Sequence, residues 1–217
     1  IKVVDIYDVT SNRWTNTTLS EARYYISVTS VDNRYALFGG GYNGSGPSNV
    51  VDIFDSLSGM WNTTTLSQAR CCLAATSLGN LAFFGGGRTG ENQPSNVVDI
   101  FNSTSQTWST STLSQARYYL AASSIGEIVA FGGGWNGSTS SSVVDMLNVT
   151  SNIWFTAILS QPRDWLASTS STNKIFFGGG LNSSGNSDVV DIFEISLPPP
   201  LLPTSSLPSS NSPISTS

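Results

Sequence analysis

The sequence predicts an all-β protein built from repeated, four-stranded antiparallel units. The first observation is a set of landmarks that recur together every 46 or 47 residues along most of the 217-residue chain. The second is that no segment keeps the 3.6-residue apolar period of a helix. The third is that short apolar runs alternate with clusters of Gly, Asn and Ser, the pattern of strands joined by turns. We therefore expect strands and turns, with almost no helix.

Four landmarks define each unit. A Val-Val-Asp string places an aspartate at Asp5, Asp52, Asp99, Asp145 and Asp191. A tryptophan follows it, at Trp14, Trp61, Trp108 and Trp154. A Leu-Ser-Glu/Gln-Ala/Pro-Arg string then ends at Arg23, Arg70, Arg117 and Arg163, and a triple glycine closes each unit, at 39–41, 85–87, 132–134 and 178–180. Because the landmarks stay in phase, we infer one supersecondary unit, repeated.

The runs just before the glycines are apolar on both faces, as a strand packed between two sheets requires: 35–38, 81–84, 128–131 and 175–177. The residues after each arginine form the preceding, innermost strand. The Val-Val-Asp string forms the third strand, and the tryptophan segment forms the outermost one. Four antiparallel strands in about 45 residues are typical of a β-propeller blade.

The order of landmarks resembles the kelch repeat of the galactose oxidase/kelch type of propeller. Each unit runs in the order Arg, apolar run, glycines, the aromatic residue of Ile-Tyr or Ile-Phe, and Trp. In addition, Pro162-Arg163 matches the proline–arginine pair of many kelch units. The triple glycine departs from the family's usual two, and the Gly-His and Trp-Asp pairs of WD40 units are missing. The resemblance covers residues 1–195 and implies a kelch-type β-propeller. Such propellers host many unrelated functions.

Counting strands indicates about four blades. The chain starts with two outer strands, and whole blades open at Arg23, Arg70 and Arg117. Arg163 opens a blade that ends after its third strand, near Ile195. Joining the ends would leave a surplus strand, so we expect an arc of a larger propeller, or a ring closed with a partner chain. The Pro/Ser/Thr-rich residues 196–217 are predicted to be a disordered tail or linker.

Composition excludes several functions. Nine Lys and Arg against fourteen Asp and Glu give a net charge of −5, which argues against nucleic acid or an anionic membrane as a partner. No apolar run approaches the ~20 residues of a membrane-spanning helix, so we expect no direct membrane insertion. The chain has no histidine, which removes Ser-His-Asp catalysis, His-ligated zinc and the ligands of the copper oxidases among kelch-like propellers. We expect no enzymatic activity, no cofactor and no metal site.

We predict a binding face formed by the loops that enter the inner strands and the loops that follow the glycines. There the units differ: Tyr42, Arg88 and Trp135 begin equivalent loops, and the pair after each arginine also changes. Aromatic side chains beside an arginine suit a protein partner or a sugar. Tyr24 and Tyr118, each directly after an arginine, join this candidate face.

The repeated charged residues admit two interpretations. The four arginines are candidates to grip a carboxylate or phosphate with their forked guanidinium groups. The alternative is a structural role, in which each one holds neighbouring blades together by bonding to carbonyl groups. We predict structural hydrogen bonding for the aspartates, because they lie inside strands, and a place between the blades for the tryptophans. The adjacent Cys71 and Cys72 are predicted simply to pack, since a disulfide between neighbours would be strained.

The primary functional hypothesis is a non-enzymatic scaffold for protein–protein interaction. The alternative is a carbohydrate-binding propeller of a secreted or cell-surface protein. The hydroxyl-rich, charge-poor composition favours an extracellular or cell-surface location, with the cytoplasm as the alternative. Seven Asn-X-Ser/Thr glycosylation candidates avoid the inner strands, at Asn16, Asn43, Asn62, Asn102, Asn136, Asn148 and Asn182.

Overall fold

The computed structural model describes residues 2–195, and every regular element in that range is a β-strand. The predicted absence of helix is therefore confirmed for these residues, and none of them belongs to a helix that could cross a membrane. The predicted tail, residues 196–217, lies outside the described residues, as does Ile1.

The strands form a series of small antiparallel sheets in chain order. The N-terminal hairpin consists of β1 (Val3–Asp8) and β2 (Arg13–Thr18). The first unit consists of β3 (Ser27–Val31), β4 (Tyr35–Gly39), β5 (Val50–Asp55) and β6 (Met60–Thr65). The second unit consists of β7 (Ala74–Leu78), β8 (Leu81–Gly85), a small hairpin of β9 (Arg88–Gly90) and β10 (Gln93–Pro94), β11 (Val97–Asn102) and β12 (Thr107–Thr112).

Two further units complete the described chain. The third unit consists of β13 (Ala121–Ile125), β14 (Ile128–Gly132), β15 (Val143–Asn148) and β16 (Ile153–Ile158). The fourth unit consists of β17 (Ala167–Ser171), β18 (Lys174–Gly178), a small hairpin of β19 (Leu181–Asn182) and β20 (Gly185–Asn186), and β21 (Val190–Glu194). The predicted division into two outer strands, three four-stranded sheets and one three-stranded sheet is confirmed.

Of the four strands that precede the glycine triplets, β8 and β14 in the middle of the array are buried on both faces. β4 and β18, at its ends, bury one face and leave the other half-buried, so the predicted packing between two sheets is complete only for the middle two. In β8, Phe84 packs into a core shared with the first unit, which includes Leu37 and Val51. The neighbouring Phe83 packs into a second core, shared with the third unit, which includes Phe131. Because successive strand residues point to opposite faces, an all-apolar run suits this sandwiched position.

Consecutive units meet in an inter-unit joint that is built the same way three times. The first glycine of each triplet faces a phenylalanine ring of the next unit, and a β-carbon built on it would lie 2.5–2.6 Å from the ring's Cε1 atom, for the pairs Gly39–Phe84, Gly85–Phe131 and Gly132–Phe177. The third glycine donates its N–H to the arginine carbonyl of the next unit at 2.8 Å, from Gly41 to Arg70, Gly87 to Arg117 and Gly134 to Arg163. Only glycine permits so close an approach.

The repeated tryptophans differ in their surroundings. Trp108 and Trp154 pack against the cores that their units share with the preceding unit. The indole N–H of Trp154 also donates to Ser111 Oγ at 2.9 Å. Trp61 packs on Phe54 of its own sheet, with ring centroids 5.1 Å apart. The prediction of a place between blades is wrong for Trp14, which is 70% exposed, because no unit precedes its hairpin in the described part of the chain.

Candidate functional site

The repeated arginines and aspartates form one buried network in each unit. In the third unit, a terminal nitrogen of Arg117 donates to the Asp145 carboxylate, and the other donates to the Val143 carbonyl at 2.6 Å. Asp145 also accepts the backbone N–H of Ser114 at 2.9 Å. The same ion pair recurs in the other units, as Arg23–Asp52, Arg70–Asp99 and Arg163–Asp191. The predicted structural hydrogen bonding of these aspartates matches the observed contacts.

The four arginines lie inside the units rather than at a binding surface. These four side chains are 0–6% exposed, and they donate their hydrogen bonds to carbonyls within their own unit: Arg23, Arg70, Arg117 and Arg163. The guanidinium groups therefore do not reach out to grip an anion. The structural alternative fits better, with one correction. Each side chain bonds to carbonyls of its own unit, and the link to the preceding unit is made by the backbone carbonyl of Arg70, Arg117 and Arg163.

The second residue after each arginine brings the units together. Tyr25, Cys72, Tyr119 and Trp165 have positive φ angles of 54° to 59°, a conformation rare for such side chains. Their backbones form a ladder from unit to unit, in which the N–H groups of Cys72, Tyr119 and Trp165 each donate to the preceding member at 2.9–3.2 Å. The rings of Tyr119 and Trp165 stack at 3.6 Å, and Tyr25 lies 6.1 Å from Trp165.

Because the second residues after the arginines meet in this ladder, the candidate site is larger than the binding face predicted from the sequence. The sequence does not single out Tyr25, Tyr119 and Trp165 as binding residues, although the pair after each arginine, to which they belong, differs between units. A repeat shows that they occupy equivalent positions. It does not show that these positions converge.

The predicted loop residues do lie together. Tyr42, Arg88 and Trp135 each form an antiparallel bridge with the residue directly after an arginine, namely Tyr24, Cys71 and Tyr118. The bridges place both sets of loops at one end of the sheets, which we call the loop face. The rings of Tyr24 and Tyr42 lie 5.4 Å apart, and the Arg88 guanidinium lies 5.8 Å from the ring centre of Tyr118. Tyr24 is exposed, whereas Tyr118 is buried.

Two free thiols lie under this face. Cys71 and Cys72 are buried, with their sulfur atoms 3.5 Å apart. The Cys72 thiol donates to Cys71, and this hydrogen bond, aided by Arg88 with Nε 3.4 Å from Cys71 Sγ, lowers the pKa of the Cys71 thiol to about 6. The same arrangement raises the pKa of Cys72, because its proton is held in that bond. The predicted packing role is compatible with this burial, but the sequence did not predict the contact with Arg88.

Two cavities on the loop face each lie between two consecutive units of the described chain. One, of about 480 Å³, lies between the first and second units and is lined by Tyr24, Tyr42, Arg88 and Glu91. The other, of about 760 Å³, lies between the third and fourth units and is lined by Trp135, Ser140, Gln161, Pro162, Asp164 and Leu181. Both combine aromatic and polar walls, so either one can take a side chain or a sugar ring. Within residues 2–195, no group of three or more Cys, Asp and Glu side chains is arranged to hold a metal ion.

Asp164 stands out among the carboxylates of the loop face. It is 6% exposed, and its Oδ2 accepts the Ser140 hydroxyl at 3.0 Å. Desolvation raises the pKa of this carboxyl group above its ordinary value. No Lys or Arg nitrogen of the described chain forms an ion pair with it.

The glycosylation candidates all lie outside the inner strands β3, β7, β13 and β17. Asn16, Asn43 and Asn62 are exposed, and the other four are half-buried. Several of the side-chain oxygens accept backbone N–H groups two or three residues later, as Asn136 does from Ser138 and Thr139 at 2.9 Å. These asparagines therefore also stabilise tight turns, and their glycosylation stays a prediction.

Comparison with known protein families finds no family profile that matches the chain, and comparison with curated proteins finds no significant match.

Proposed function

We propose that this chain is an arc of a kelch-type β-propeller that binds another protein through its loop face, without enzymatic activity. The architecture is supported by the three equivalent inter-unit joints and by the Arg–Asp network that recurs in each unit. A small-angle X-ray scattering profile of the chain tests the arc, because a flat fan of sheets and an elongated stack of sheets scatter differently.

The contrast between framework and loop face carries the functional proposal. The buried arginines and aspartates are the same in every unit, whereas the equivalent loop positions carry Tyr42, Arg88, Trp135 and Leu181. A residue that only holds a unit together should recur in each unit. Positions that differ between units are instead suited to the asymmetric surface of a particular partner, where aromatic residues and arginine contribute most of the binding energy.

A triple substitution tests this proposal. The variant Tyr42→Ala, Arg88→Ala and Trp135→Ala removes the predicted contacts, and we expect a large loss of captured partner when tagged protein is exposed to the source extract. The control replaces exposed apolar side chains near the turns at the opposite end, with Val9→Ala, Leu57→Ala and Met60→Ala. Equal capture by the loop-face variant and the unmodified protein would contradict the proposal.

Carbohydrate binding is the second candidate function, favoured by the 760 Å³ cavity. Trp135 offers a flat face for a sugar ring, and Gln161 and Asn182 line the same cavity with hydrogen-bonding groups. A glycan array separates the two candidate functions. Selective binding of a glycan that Trp135→Ala abolishes would favour carbohydrate binding. If no glycan binds while a protein partner is still captured, carbohydrate binding is excluded.

We also propose that the protein is glycosylated and located outside the cell or on its surface. The support is the position of the seven Asn-X-Ser/Thr sequences in outer strands and loops, none of them on an inner strand. Treatment of native material with a glycosidase should lower its mass, and an unchanged mass would contradict this location.

A further inference from the structure

We infer that the cavity between the third and fourth units binds a basic side chain, arginine or lysine, of the partner protein. This inference rests on the proposed function, since it names the chemistry by which the loop face recognises its partner. It depends on Asp164 and Trp135, which line the same cavity.

Asp164 is a buried carboxylate that lacks the arginine partner of the other buried aspartates. The buried Asp52, Asp99 and Asp145 each bind an arginine of their own unit. Asp164 is almost as well buried, yet its one side-chain hydrogen bond comes from the neutral hydroxyl of Ser140. A buried carboxylate is costly unless a positive charge compensates it. The described chain places no positive charge beside Asp164, so a positively charged ligand group would compensate the carboxylate.

The carboxylate is open toward the cavity. Oδ2 accepts the Ser140 hydroxyl, but Oδ1 accepts no hydrogen bond from residues 2–195 and is not fully shielded from solvent by them. Asp164 lines the cavity and keeps one carboxylate oxygen free to accept a hydrogen bond from a ligand there. The carboxylate accepts strongly from charged N–H donors, most strongly from a guanidinium group.

The other walls fit the rest of a basic side chain. Trp135 provides an aromatic face that attracts a cation, and arginine is the cation most often found there. Pro162 and Leu181 are apolar walls against which an aliphatic stem can lie. The net charge of −5 adds a general attraction for a basic segment. A neutral sugar could stack on Trp135, but it would leave the Asp164 charge uncompensated.

The other units do not offer this site. The positions equivalent to Asp164 carry Tyr24, Cys71 and Tyr118, and the thiol of Cys71 already contacts Arg88. The fourth unit is therefore specialised at this position.

The test uses the full chain and two peptides that differ in one group. Acetyl-Gly-Arg-Gly-amide carries the guanidinium, and the citrulline peptide has the same shape without the charge. Binding is followed by the indole N–H signal of Trp135 in nuclear magnetic resonance spectra, assigned with Trp135→Phe. We expect the arginine peptide to shift this signal at a concentration at least about tenfold below that of the citrulline peptide, a difference typical of one charge-assisted hydrogen bond.

Two variants assign the effect to the buried carboxylate. Asp164→Asn keeps the shape but removes the charge, and it should abolish the preference for arginine. Asp188→Asn, at an exposed position in the same unit, should preserve it. Equal response to both peptides, no response to either, or an unchanged preference in Asp164→Asn would overturn the inference. If partner capture depends on the loop face while the peptides behave alike, the proposed function stands and only the basic-pocket assignment fails.

Discussion

The α-carbon of Gly132 lies so close to the ring of Phe177 that a β-carbon added to it would be 2.6 Å from Cε1 of that ring. Gly132 ends β14 in the third unit, and Phe177 lies on β18 in the fourth. Phe177 is fully buried, and it belongs to the core that the two units share. The ring therefore has little freedom to retreat, and this contact fixes how closely the two sheets approach.

We predict that Gly132→Ala lowers the free energy of unfolding by about 1–3 kcal/mol, the usual cost of overpacking a core. The matched control is Gly178→Ala, at the equivalent position of the fourth unit. There the nearest described atom to a new β-carbon is Cγ2 of Val190, at an ordinary 3.4 Å. Urea denaturation of both variants measures the difference, and equal midpoints would show that the inter-unit joint tolerates a side chain.

The buried ion pair between Arg117 and Asp145 should be required for stability. We predict that Asp145→Asn costs about 3–5 kcal/mol, because it leaves the Arg117 guanidinium buried without its counter-charge. Adding Arg117→Met should not restore the loss, since the Gly133 carbonyl then loses its donor and the Val143 carbonyl keeps only the backbone N–H of Gly133. Denaturant unfolding measures both variants.

The control for that experiment is the exposed pair between Lys174 and Glu194. Glu194→Gln should leave the unfolding midpoint nearly unchanged, because water screens an exposed ion pair. A loss as large as that of Asp145→Asn would mean that burial is not what makes the internal pairs important.

The Cys71 thiol should ionise well below the usual range. Its pKa falls from 9.0 to about 6 in the folded protein, chiefly through the hydrogen bond from Cys72. Between these pH values the unfolded chain keeps a proton that the folded chain has lost, so the Cys71 contribution to stability rises with pH across this window. It disappears as the pH falls through about 6.

Ultraviolet absorbance of the thiolate during a pH titration measures this ionisation. Cys72→Ala should move the midpoint upward by removing the donor, and Arg88→Gln should move it upward by a smaller amount. A titration of the unmodified protein with an ordinary thiol midpoint would contradict the prediction.

Asp164 should weaken the fold at neutral pH. Its pKa is raised by desolvation, so the folded state holds this proton more tightly than the unfolded state does. Stability therefore falls as the pH rises through the interval between the ordinary and the raised pKa values. We predict that Asp164→Asn melts at a higher temperature than the unmodified protein at neutral pH, and that this advantage vanishes at acidic pH. Asp188→Asn should show no such pH-dependent gain.

The division into units could be predicted because repetition constrains the whole array at once. A landmark that recurs in four units identifies the strand on which it lies, so the apolar run of β8 alone predicts a strand packed between two sheets. The exposure of Trp14 was mispredicted because burial also depends on a neighbouring unit. The approach of Arg88 to Cys71 was missed because a bridge between two loops brings together residues that are far apart in the chain.

The three inter-unit joints use interchangeable parts: a glycine triplet on one side, and a phenylalanine ring and an arginine carbonyl on the other. A gene segment encoding one unit can therefore be copied or deleted, and the surviving neighbours will still fit each other. An added copy would reuse the same contacts at its joints and would bring a new set of loop residues to the loop face.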